Sequence, residues 1–126
     1  MPHKLIMEQL ELNIPKMSQD ELTVWNALRY HKGKENAITQ HRLAEHTGIS
    51  PRHVREIIKY LVENHKLEIA SSYDSGGGYY IPVSQKEVDE TCDKLYGHAL
   101  SILKRYSVFK KVDIDKLQTE IFDNDH

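Results

Sequence analysis

Apolar residues fall into a few separable rhythms along the chain. Leu22, Val24, Trp25 and Leu28 recur at helical spacing just after Ser18-Gln-Asp-Glu21. Serine at the cap with glutamate three residues on is a capping box, because each side chain can bond the other's backbone N–H. The helix that follows is expected to end near Lys32 and Gly33, with Trp25 in the core. Asn36, Ala37 and Ile38 suit a very short strand, and Thr39 caps the next helix. Val54, Ile57, Ile58 and Leu61 then mark the buried face of a third helix. Over residues 67–72 apolar and polar positions alternate, as in a half-buried strand. Ser75 and the glycines at 76–78 break that run, 79–81 resumes it, and Pro82 closes it.

A second capping box, Ser84-Gln-Lys-Glu87, opens a helix expected over 85–111, about 40 Å long. Its apolar positions are Val88, Cys92, Leu95, Ala99, Ile102, Tyr106 and Phe109. Their spacings of 4, 3, 4, 3, 4 and 3 form a heptad seam over three repeats. Gly97 weakens this helix locally by about 1 kcal/mol. Such a seam either pairs with a second copy or packs against the chain's own first helix. Ile114, Leu117 and Ile121 suggest one more short amphipathic helix. At the other end, Leu10, Leu12 and Ile14 alternate with polar residues, and Pro15 stops any helix. That stretch reads as an arm on a partner or as a frayed tail, and the acidic end 123–126 is expected to fray. The pattern divides the chain into an arm at 1–17, a domain at 18–83 and a helical extension at 84–126.

The stretch 39–64, TQHRLAEHTGISPRHVREIIKYLVEN, organises the middle of the chain. Ala44 is small where two helices would cross closely. Gly48 can take the left-handed conformation that ends a helix. Ser50 can cap the next helix, and Pro51 suits its first position. These residues resemble the helix-turn-helix of DNA-binding proteins. The order helix, short strand, helix, helix, strand, strand over 18–82 resembles the winged-helix family. The run GGGYYIPVSQKEVDE and a helix ending SILKRYSVFKK resemble the tail of small winged-helix proteins from bacteria and their phages. The fold expected is therefore mostly α with a small β-hairpin: a winged helix-turn-helix followed by a long C-terminal helix.

The resemblance implies which residues meet DNA. In this family the early residues of the second motif helix face base edges in the major groove. Carried over, Arg52, His53 and Arg55 would read bases, Lys59 and Arg42 would touch phosphates, and Ser50 would be a further DNA-contacting residue. Many winged helices carry Arg or Lys at the hairpin tip, but here the tip is Tyr73-Asp74-Ser75-Gly76. Any wing contact would come from Tyr73, Ser75 or glycine amides. The triple glycine is not a phosphate-binding loop, because a strand follows it where such loops need a helix.

Charge changes the picture less than it first suggests. The net charge is −2, which is not the bulk signature of a nucleic-acid binder. Residues 29–66, however, hold eight Lys/Arg against four Asp/Glu, while both flanks are acidic. An acidic remainder would confine DNA affinity to one face. The same acidic balance and the acidic tip favour a different class of function, a winged helix used as a protein-binding adaptor or assembly module.

Other chemistry finds little support. The eight histidines include no pair at i, i+4, and Cys92 is the only cysteine, so neither a zinc site nor a disulfide framework is indicated. On the heptad seam Cys92 reads as a packed thiol. No nucleophile–base or paired-carboxylate pattern points to an enzyme, and no cofactor is implied. The N-terminal residues lack the apolar core of a secretory signal, and mean hydropathy is −0.62. A cytoplasmic regulator or origin-binding protein, dimeric through its last long helix, is the resulting expectation.

Overall fold

The computed structural model describes residues 16–72 and 77–122. The expected arm at 1–15, the hairpin tip with Tyr73, and the end at 123–126 lie outside the described residues. The chain divides into two units, Met1–Glu87 and Val88–His126. Among the described residues it is mostly helical, with a small two-stranded antiparallel sheet.

In the first unit, helix α1 spans Gln19–Leu28 and opens on the expected capping box. Ser18 N donates to Glu21 Oε1 at 3.1 Å, and Glu21 N donates to Ser18 Oγ at 3.2 Å. The helix stops short of Lys32 because the chain is drawn off toward the hairpin. Gly33 N donates to Ile81 O at 2.9 Å, and Ile81 N donates to His31 O at 2.8 Å. The strand expected at Asn36–Ile38 is also reduced. Residues Lys34–Asn36 form a 3-10 turn, and only Ile38 pairs, exchanging bonds of 2.9 and 2.8 Å with Tyr79.

Helix α2, Gln40–Thr47, is capped by Thr39 and ends at Gly48, whose left-handed φ of 73° costs glycine little. Helix α3, Pro51–His65, is capped by Ser50 and ends at Lys66 with φ 58°. Strands β1, Ala70–Ser72, and β2, Gly78–Tyr80, pair with Ala70 opposite Tyr80 and Ser72 opposite Gly78. The strand expected at 67–72 starts late because Leu67 and Ile69 pack on the core instead. Gly78 has a packing reason, since a Cβ there would meet Ile38 O at 3.0 Å and Ala37 Cβ at 3.1 Å. Val24, Leu28, Leu43, Val54 and Leu61 form the fully buried centre, with Trp25 at its edge and not inside it.

Helix α4, Gln85–Lys110, starts in the last residues of the first unit. Glu87 fixes that start: its Oε2 accepts from Lys34 N at 2.8 Å and its Oε1 from Val83 N at 2.9 Å.

The second unit holds the rest of α4 and helix α5, Ile114–Phe122. Lys111, with φ 55°, ends α4, and Val112 N reaches back to Ser107 O at 3.3 Å, a Schellman-type closure. Gln118 Nε2 donates to Tyr96 Oη at 2.5 Å across the helical pair. No residue of α4 is buried. Cys92, expected as a packed thiol, is exposed. Among the described residues no helix is long and apolar enough to cross a membrane.

Candidate nucleic-acid interface

Three turn residues set the direction of α3. Gly48 reverses the chain, Ile49 packs against the core, and Ser50 Oγ accepts from His53 N at 3.3 Å. Gln40 Nε2 donates to Pro51 O at 2.6 Å and ties the start of α2 to the start of α3. With Val54, Ile57, Ile58 and Leu61 buried, α3 cannot rotate, so its opposite side is held outward.

That outward side carries Arg52, Arg55 and Lys59, all exposed and spaced i, i+3, i+7, which makes one stripe. Arg52 Nε lies 3.6 Å from Glu56 Oε1, with side chains 84% and 60% exposed. An ion pair so open to water holds its partners by less than about 1 kcal/mol. Arg42 is exposed in the first turn of α2, where its backbone N–H bonds Thr39 Oγ1 at 3.1 Å. Ser50 accepts a bond as the cap of α3, and its O–H remains available as a donor.

His53 is drawn aside from the arginine stripe. Its Nε2 lies 3.5 Å from Asp20 Oδ2 and its Nδ1 3.6 Å from Glu56 Oε2. These groups, with Ser18, Glu21, Ile57 and Tyr60, line an open groove of about 260 Å³ between α1 and α3. No spacing rule marks Asp20 as a neighbour of His53, because the pairing depends on how α1 crosses α3.

The same crossing buries a pair that the sequence does not announce. His65 Nε2 lies 3.2 Å from Glu21 Oε2, with the histidine side chain 1% exposed. Its Nδ1 is buried without a hydrogen-bond partner, and the Tyr60 ring meets the imidazole edge-on at 5.6 Å. Burial raises the pKa of Glu21. The bonds from Ser18 N–H and hydroxyl, with His65 beside it, outweigh that and leave the carboxyl below its ordinary value. The Glu87 carboxyl is also held low, by the N–H groups of Lys34 and Val83.

The seam residues of α4 lie on its open side. Leu95 is 63% exposed, Ile102 46%, Tyr106 47% and Phe109 87%, while Val88 and Ala99 are half-buried. No group of three His, Cys, Asp or Glu among the described residues could hold a metal ion. Comparison with known protein families, with curated proteins and with solved structures finds no match to this chain.

Proposed function

We propose that this chain is a winged helix-turn-helix protein that binds double-stranded DNA, with α3 entering the major groove. The observation that carries the reading is the stripe Arg52, Arg55 and Lys59, held outward by the buried face of the same helix. A guanidinium fork matches guanine O6 and N7 together, worth about 1–3 kcal/mol against a wrong base. Breaking the exposed Arg52–Glu56 pair costs less than that, so Glu56 does not prevent the arginine from reaching a base. Arg42 and Lys59 would meet phosphates and fix register. The physiological role would be transcriptional regulation or origin binding in the cytoplasm of a bacterium, or for its phage or plasmid, by a homodimer paired through α4.

A protein-binding adaptor is the second reading. Asp20 and Glu56 favour it, because they set negative charge beside His53 and Arg52 at the leading end of α3. Selection of binders from a randomised duplex pool at low salt separates the two. The DNA reading predicts retention that weakens steeply with salt, and convergence on a preferred site. No retention of any duplex at low salt would overturn it.

A further inference from the structure

We infer that a second copy of this chain covers the open face of α4, and that the two α4 helices run antiparallel. The inference deepens the homodimer reading above by giving it a direction and a register, and it does not depend on DNA binding. Helix α4 has two apolar sides. One bears Leu100 and Leu103, both partly buried, beside the Tyr96–Gln118 bond to α5. The other is the seam, where Leu95, Ile102, Tyr106 and Phe109 all remain exposed. Contiguous apolar residues of this kind mark an interface. Gly97, where an added Cβ would meet nothing within 4 Å, falls on the helix side away from the seam.

Charge selects the direction. Between Val88 and Gly97 the helix carries Asp89, Glu90 and Asp93 against one Lys94. From His98 to Lys111 it carries Lys104, Arg105, Lys110 and Lys111 with no carboxylate. The helix dipole does not account for this asymmetry, because its influence fades within the terminal turns and Asp93, Lys104 and Arg105 lie beyond them. Parallel pairing sets Arg105 beside Lys110 of the other copy across the edge of the seam, like charge against like. Antiparallel pairing sets Asp89, which flanks the seam near its start, against Lys110 of the other copy, which flanks it near its end.

Side-chain size agrees. In a two-fold antiparallel pair centred between Ala99 and Ile102, Cys92 faces Phe109 of the other copy, Leu95 faces Tyr106, and Ala99 faces Ile102. In the Cys92–Phe109 and Ala99–Ile102 layers a small residue meets a large one, and no layer opposes two of the smallest or two aromatic side chains. Parallel in-register pairing would instead oppose alanine to alanine, leaving a void, and tyrosine to tyrosine, crowding the seam.

Cross-linking the full chain with a short bismaleimide tests the direction. In the antiparallel pair the two Cys92 thiols stand about 25 Å apart along the axis, so the wild type should give no linked dimer. Phe109→Cys, which keeps Cys92, should link efficiently. Ala99→Cys in a Cys92→Ala background lies near the two-fold axis and should link in either direction. Linked wild type would show parallel pairing and overturn the proposal. Failure of Ala99→Cys to link, with a monomer mass at tens of micromolar in sedimentation equilibrium, would remove the pairing altogether.

Discussion

The two units treat their apolar residues in opposite ways. In the first, Val24, Leu28, Leu43, Val54 and Leu61 are wholly buried, and three helices with a hairpin close over them. In the second, no residue of α4 is buried, and Phe109 is 87% exposed. Both carry apolar residues at helical spacing, so spacing alone does not distinguish core from surface. The first unit has its own core, on which α3 holds Arg52, Arg55 and Lys59 outward. In the second the apolar stripe stays exposed.

The largest effect that tests this contrast comes from the core. Leu61→Ala should cost about 2–5 kcal/mol, since the side chain is fully buried and leaves a cavity. Phe109→Ala should change the melting of the first unit by less than about 0.5 kcal/mol. Thermal denaturation followed by the fluorescence of Trp25, the one tryptophan, reads that unit directly. Equal losses from both variants would dissolve the distinction.

Next comes pairing. Ile102→Glu should weaken self-association by about 3 kcal/mol or more, over a hundredfold, because it sets an unpaired carboxylate into the seam. Sedimentation should then give a monomer with an unchanged Trp25 melting curve. DNA affinity should also fall, since two linked contacts bind far better than one. A dimer that survives the substitution would place the interface elsewhere.

On the α3 face, Arg52→Ala or Arg55→Ala should cost about 1–3 kcal/mol on a preferred site and relax its sequence preference. Lys59→Ala should weaken all sequences alike and lower the salt slope by about one. Anisotropy titrations on specific and random duplexes separate these outcomes. Equal losses on both duplexes from the arginine variants would refute their base-reading role.

The smallest effect is on acid stability. Glu21 and Glu87 have folded pKa values below the ordinary 4.5. Their contribution is complete above that value and is lost as pH falls through the depressed folded values. Glu87→Gln should therefore flatten the fall in Tm below pH 4.5, most of its effect being visible at neutral pH. An unchanged Tm–pH profile would mean that the carboxylate does not hold Lys34 and Val83 in solution.

Much of this contrast is legible in the sequence, and the failures have physical causes. Ser18, Thr39, Gly48, Ser50 and Pro51 announce helix ends because capping is local chemistry, and the structure places each at such an end. Alternation overestimates the strand at 67–72 because Leu67 and Ile69 pack against the core, which it cannot register. The glycine run reads as a breaker, while the close approach of Ile38 to Gly78 appears only in three dimensions. Seam spacing predicts a packed Cys92 because it marks an apolar face without saying what covers it. The arginine stripe on α3 follows from helical periodicity, but the turn of His53 toward Asp20 follows only from how α1 crosses α3.

Amide chemical-shift mapping of the uniformly labelled protein tests directly whether the outward face of α3 meets duplex DNA. Adding a selected duplex at low salt should shift the amides of Arg52, Arg55 and Lys59 first, with Arg42 close behind. The shifts should reverse as salt is raised, while Leu43 and Leu61 in the core stay in place. Shifts confined to α4 and α5, or none at saturating duplex, would contradict the account.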